Sequence, residues 1–448
     1  MDILMDGILL EKLITYGVVF LVCGLIIVFY LRKKKKDSHI VVEKVTTAKE
    51  EGLHEPVSLH PYINPNACIG SGACISACPE KDILGIIDGK ATVINASNCV
   101  GHGACFHSCP VEAISLRIGT ERRGVDLPHV NQNFETNMKG IYIAGELGGM
   151  GLIKNSVEQG AQAIDSIVKS KKINNDGNLD VVIIGAGPAG ISASLAAKKN
   201  NLSAITLEQD SLGGTVFTFP RAKIVMTSPM NLPLYGKVKL HNTSKDELLQ
   251  LWKRVINENK LEIIEKTKVE NITPLKNNTF RISTNTSKEY TTSNVILSIG
   301  RRGSPRKLGV PGEDTQKVAY RLLEPENIKS KKVIVIGGGD SAIESALLLK
   351  DDNEVILSYR KDKFSRLKPK NKEDILMSET DGSITILFDS NVAAINEADV
   401  LLNLKDGSTQ KIDNDLVYIF AGGELPTPFL EKAGVKISKR FGYILKKY

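Results

Sequence analysis

Cysteine and aromatic side chains are scarce. The 448 residues include seven cysteines, one tryptophan and 5% aromatics, and no cysteine follows Cys109. Six of the seven lie between Cys68 and Cys109 and the seventh, Cys23, sits in an apolar run. None is left for a structural disulfide, so a reducing compartment is expected. A one-sided charge is lacking too: of a formal net charge of +7, Arg32 to Lys36 supply five. With the remainder near balance, no nucleic-acid partner is expected. The hydrophobic share of 42% and charged share of 24% are those of an ordinary globular chain, which excludes general disorder. The length suits about three domains.

The cysteines that are present form two runs, CIGSGACISACP from Cys68 and CVGHGACFHSCP from Cys99. Both match the bacterial ferredoxin spacing C-x2-C-x2-C-x3-C-P except at its second cysteine, where Ser71 and His102 stand. The last cysteine of each run ligates the other cluster in that pattern. One site then takes Cys68, Cys74 and Cys109 with Ser71 at the open corner, and the other takes Cys99, Cys105 and Cys78 with His102. At each fourth corner either the iron is lost, leaving a three-iron cluster, or a non-thiolate ligand holds it. Imidazole there would raise the potential. The spacing is not that of a zinc finger.

Ahead of this module, Leu13 to Leu31 carries no charge and is long enough to cross a bilayer core at about 1.5 Å rise per residue. RKKKK follows at once. The positive-inside rule therefore puts the N-terminus outside the cell membrane, with a single pass and everything after Arg32 in the cytoplasm. A cleaved signal peptide would need its charges in front, a shorter apolar stretch and a small-residue cleavage site. Residues 37–60 are polar and aperiodic and are expected to be a linker.

From Leu179 an apolar run leads into GAGPAG, where Gly185, Gly187 and Gly190 are followed by a helical pattern and by Glu208. That is the opening of a dinucleotide-binding βαβ unit: a tight turn, a close backbone approach to pyrophosphate, close helix-on-strand packing, and a carboxylate for ribose hydroxyls. A second unit follows KKVIVI, with Gly337, Gly339 and Ala342 in G-x-G-x-x-A order. Its second strand ends in Arg360 and Lys361 instead of an acid, with Arg366 nearby. Arginine attracts a 2′-phosphate, so NADP(H) is expected over NAD(H). Between the units, Ser244 and Glu247 read as a capping box for a helix bearing Trp252 as a packing residue, and alternating strands follow.

Two such units resemble the thioredoxin-reductase branch of the FAD/NAD(P)-dependent pyridine nucleotide-disulfide oxidoreductases. GAGPAG, the GGT of Gly213, Gly214 and Thr215, VILSIG, GVPGED, GGGDSAIESA, YRKDKFSR and the pair GIYIAGE with EQGAQAI carry the resemblance, which covers roughly Gly119 to the end. It implies FAD on the first unit, NADPH on the second, and a possible homodimer. The order departs from that family. The phrase containing Gly145 and Glu146, whose acid the family uses toward the flavin, precedes the first glycine loop here instead of ending the chain. A circular permutation is expected. The redox C-x-x-C of thioredoxin reductases is missing from VAYRLLEPENIKSKK, which excludes thioredoxin reduction.

The expected fold class is α/β: two Rossmann-like domains, an α+β two-cluster ferredoxin domain and one N-terminal transmembrane helix. The expected boundaries are an anchor at 1–36, the linker, the cluster domain at 61–118, the permuted segment at 119–175, the FAD domain at 176–303, the NADP domain at 304–420 and a return to the FAD domain at 421–448. The expected function is a membrane-anchored oxidoreductase that moves electrons between NADPH and a quinone or redox protein. FAD and two iron-sulfur clusters (4Fe-4S or 3Fe-4S) would carry them, with no side-chain acid or base as catalyst. The alternative is a redox or iron sensor with slow flavin turnover that signals to a partner protein.

Overall fold

A computed structural model describes the chain apart from residues 1, 51, 57–58, 81, 100, 102, 150, 171–177, 218–223, 227–228, 241, 302–304, 365–366 and 447–448. Two compact units result, Met1–Arg123 with Gly442–Tyr448, and Gly124–Phe441.

The first unit opens with helix α1 (Asp2–Glu50). From Leu13 onward it contains a stretch long and apolar enough to cross a membrane, none of it buried in protein. Residues expected to be a linker are instead helical up to Glu50, because DSHIVVEKVTTAKE contains neither Gly nor Pro to break the helix and one of its faces finds partners. Ser38 Oγ accepts from the Asp88 N–H at 3.2 Å, Lys44 Nζ lies 2.5 Å from Asp82, and Val41 packs so tightly on Gly85 that a Cβ there would stand 2.5 Å from it.

The remainder of this unit is the cluster module. Strand β1 (Leu59–Ile63) pairs antiparallel with β4 (Ile114–Ile118), α2 (Ala73–Ser76) and α3 (Ala104–His107) are single turns, and β2 (Leu84–Ile87) and β3 (Lys90–Val93) form a hairpin. Asp88 and Gly89 turn that hairpin with φ of 48° and 79°, as a two-residue Asp-Gly loop requires. One correction concerns the chain's end. Strand Tyr443–Lys446, expected in the FAD domain, pairs antiparallel with β4 and completes a three-stranded sheet in the cluster unit.

The second unit starts with β5 (Val125–Pro128) and β6 (Ile141–Ile143), then α4 (Ile153–Lys169), β7 (Leu179–Ile184), α5 (Pro188–Lys199) and β8 (Ala204–Leu207). Its main sheet runs Ile263–Ile264, β8, β7, Glu289–Leu297, Phe280–Thr284, Val269–Pro274. Strand Glu289–Leu297 is long enough to serve two neighbours along one edge: its first half pairs antiparallel with Phe280–Thr284, and its last three residues pair parallel with β6. A strand that precedes the glycine loop in sequence is thus built into that loop's own sheet, as the permuted order requires. Helix Lys245–Glu258 carries the expected capping box, and Trp252 is fully buried.

The NADP-type domain has a five-stranded parallel sheet, Val318–Ala319, Leu416–Ile419, Lys332–Ile336, Glu354–Ser358, Ile384–Leu387, and a three-stranded antiparallel meander over Asn391–Asp413. Near-continuous apolar strands such as VIVI, buried on both faces, are what a parallel sheet covered by helices demands.

Candidate functional site

The two cysteine runs fold alike. Gly70 and Gly101 adopt φ of 69° and 77°, and Gly72 and Gly103 adopt 75° and 76°. This left-handed backbone is open to glycine at little cost and turns N–H groups inward. Sulfur acceptors meet them: Gly70 N donates to Cys68 Sγ at 3.4 Å, Ala91 N to Cys68 at 3.3 Å, Gly101 N to Cys99 at 3.4 Å and Ala113 N to Cys109 at 3.2 Å. Such donors suit sulfurs that carry negative charge when ligating metal.

Burial raises several of these thiols, and neighbouring sulfurs add to the effect. Burial first, then Cys68 and Cys109, raise the Cys74 thiol. Burial pushes Cys99 up to about 11, with Cys78 adding to it, and pushes Cys105 up to about 12, with Cys99, Cys78 and, across the two runs, Cys74 adding to it. Cys68, Cys74, Cys109 and Ser71 line one cavity. Among the described residues no three His, Cys, Asp or Glu close on one point as ligands of a single ion would. Burial disfavours the thiolate form at these cysteines, and a bound metal would supply the charge that holds it. His102 lies outside the described residues.

In the second unit the residues expected to hold FAD lie round one glycine loop. Gly185 has φ of 102°, and a Cβ on Gly190 would stand 1.9 Å from Gly185 O, so α5 can start this close to β7 only as glycine. A Cβ on Gly187 would meet nothing within 4 Å, leaving the cradle open where a pyrophosphate fits. Glu208 receives N–H bonds from Ala186 at 2.7 Å and Asp210 at 2.9 Å, and burial raises its carboxyl above the ordinary value despite them. Gly213 N donates to Ala186 O at 3.0 Å, which lays Gly214 and Thr215 over the loop. Gly145, with φ of 85°, packs against Ala189 and donates to Gln159 Oε1 at 2.8 Å, placing half-buried Glu146 beside the same loop.

Sequence reasoning passed over three residues here. Gly160 in α4 allows that helix onto α5, since a Cβ would stand 2.1 Å from Ala189 O. The Arg301 guanidinium is lowered by desolvation and supported by Glu146 and Asp126. In the second dinucleotide loop, Gly337 has φ of 143° and Ala342 is fully buried behind it, while the Tyr359 ring lies over Gly338. Adjacent small residues flag Gly160; nothing local flags Arg301 or the placement of Tyr359. Gly339 is open, and Arg360 and Lys361 are exposed just past Ser358. Arg366 lies outside the described residues.

Two stretches of the chain match known family models. Residues 182–445 match the family model described as pyridine nucleotide-disulphide oxidoreductase, and residues 60–110 match a 4Fe-4S dicluster domain. The chain is 30% identical over 267 residues to the Bacilliredoxin reductase Bdr of Bacillus subtilis, covering 58% of this chain and 82% of that one. It is 27% identical over 277 residues to Ferredoxin--NADP reductase 1 of Bacillus thuringiensis, covering 59% and 76%. The solved Bacillithiol Disulfide Reductase Bdr of Bacillus cereus superposes with a TM-score of 0.51 at 23% identity, covering 60% of this chain and 86% of that one, which shows a shared fold. The chain belongs to the pyridine nucleotide-disulphide oxidoreductase family, as an NAD(P)H-dependent flavin oxidoreductase that also carries a 4Fe-4S dicluster domain.

Proposed function

We propose that this protein takes hydride from NADPH onto FAD in the second unit and delivers single electrons to the two clusters of the first, anchored to the membrane by α1. One observation carries the reading. The second unit contains no cysteine to receive an electron pair, whereas the first contains two cysteine runs, with Cys68, Cys74 and Cys109 round one cavity. FAD, when bound, supplies the conversion between two-electron and one-electron chemistry. Gly185, Gly187, Gly190, Glu208, Gly213, Gly214, Thr215, Gly145 and Glu146 would hold it. Gly337, Gly339, Ala342, Arg360 and Lys361 would hold the nicotinamide nucleotide, with the exposed cations on its 2′-phosphate. The basic run after the apolar stretch favours an N-terminus outside and both units in the cytoplasm. The acceptor would be a quinone or a redox protein at that membrane.

Anaerobic NADPH titration, read optically and by paramagnetic resonance, tests the scheme. Cys74→Ala and Cys105→Ala should each lose reduction of a one-electron acceptor while NADPH still bleaches the flavin. Acceptor reduction equal to the parent in both variants would refute it.

A further inference from the structure

We infer that the first unit contains a quinone site of its own. A cavity of about 380 Å³, within the range of small-molecule sites, opens beside β1 and β3. It shares a wall with the cluster cavity: Ile63 and Ala91 line both, and the Ala91 N–H reaches Cys68 Sγ at 3.3 Å. One layer of side chain therefore separates its contents from a cluster ligand.

The chemistry of the lining selects the occupant. Walls such as Val93 are apolar, and the polar groups include His54, His60 and Tyr62. The buried Nδ1 of His54 has no hydrogen-bond partner among the described residues, and the Arg117 guanidinium lies 3.4 Å over the centroid of the Tyr62 ring and steadies it. A slot of mixed lining, with imidazole and phenol groups beside apolar walls, suits a flat ring bearing two carbonyl oxygens. A concavity of this size admits such a ring, whereas a redox protein would need a broad flat surface. The same unit carries the helix that is apolar enough to enter a bilayer, where quinones dissolve.

The inference rests on the electron-transfer reading above and narrows its acceptor. The reaction balances as NADPH + H⁺ + quinone → NADP⁺ + quinol. Each carbonyl becomes a C–OH by taking one electron and one proton: the electrons, given by NADPH as hydride, arrive one at a time through the clusters, and two solvent protons are taken up while the reduced flavin returns the hydride's proton, so one is consumed net.

Photolabelling tests it. Full-length, iron-loaded protein in detergent is irradiated with an azido-quinone, with and without excess decyl-ubiquinone, and the labelled peptides are mapped. Label should concentrate at residues 54–63 and 91–96 and fall about tenfold on competition. Val93→Trp, which fills the cavity, and His54→Ala, which removes the unpartnered imidazole, should each cut it comparably with iron and flavin content unchanged. If Val93→Trp loses iron, His54→Ala alone decides. Label confined to α1, uncompeted label, or unchanged labelling in an iron-replete variant would overturn the site. Failure of NADPH to bleach the flavin in the same sample would instead overturn the electron-transfer reading.

Discussion

Substituting Gly160 by alanine tests whether the segment ahead of the glycine loop is an integral part of the flavin domain. The new Cβ would stand 2.1 Å from Ala189 O and 3.1 Å from Ala193 N, against an ordinary contact of at least 3.4 Å. Helices α4 and α5 would have to part by about 1 Å, and their interface is closed: Ala163, Ile164, Ile167, Ala193 and Ala197 are all at 0% exposure. Overpacking of this kind costs about 1–3 kcal/mol. Against that, alanine gains roughly 0.8–1 kcal/mol over glycine in a free helix. The net expectation is a loss of about 1–2 kcal/mol, a melting temperature lower by about 2–8 °C, and weaker flavin retention because Gln159, one residue away, holds Gly145. Gly160→Val should lose more, as it lacks the helix gain. Gln162→Ala, on the exposed face, should stay within about 0.5 kcal/mol. Thermal unfolding followed by flavin fluorescence reads all three. A Gly160→Ala protein stabilised by about 1 kcal/mol, as an undocked helix would be, would refute the packing.

Burial raises the Glu208 carboxyl above 4.5 despite the N–H bonds from Ala186 and Asp210, so protonation favours the folded flavin-free protein. That contribution is complete below pH 4.5 and is lost as pH rises through the raised native value. Glu208→Gln should flatten this part of the stability curve and leave one N–H unpaired, costing about 1–3 kcal/mol; urea titrations at several pH values that match the parent's slope would contradict it. Arg360→Ala should raise KM for NADPH about tenfold or more, with NADH little affected. Equal changes for the two nucleotides in steady-state flavin reduction would argue against a 2′-phosphate contact. Ending the chain at Phe441 removes the strand that covers the edge of β4 at Leu116 to Ile118. Limited proteolysis should then cut the cluster unit faster and its iron should fall; parent-like rates would speak against that pairing.

Local chemistry made much of this fold legible. Glycine spacing announced both dinucleotide loops, the run of cysteines announced the cluster module, and Ser244 with Glu247 announced a helix start, because each depends on backbone angles or donors within a few residues. Long-range partners left no such trace. Asp37 to Glu50 reads as polar linker because its own periodicity does not announce a helix, and the partners on the Gly85 hairpin that favour one are distant in sequence. Strand Tyr443–Lys446 reads as another flavin-domain strand because its pattern does not say which edge it will cover. The cation beside Glu146, Arg301, comes from more than 150 residues away in sequence.

The permuted order itself has a physical basis in how the second unit's ends meet. Its entering strand, β5, and its leaving strand, Ile437–Arg440, are antiparallel neighbours with Val125 opposite Arg440. A chain running from Arg440 into Val125 would need no more than a hairpin turn and would give the ordinary family order, with α4 last. Opening the chain there breaks no strand of the central sheet and no contact of the glycine loop, so the flavin site is indifferent to the change. What the opening adds is a pair of chain ends side by side. One end continues from the cluster module, and the other supplies the strand that pairs with β4, Tyr443 lying opposite Ile118. The cluster unit's sheet is therefore built from chain on both sides of the opening, its middle strand β4 from the segment before Val125 and its edge strand Tyr443–Lys446 from the segment after Arg440.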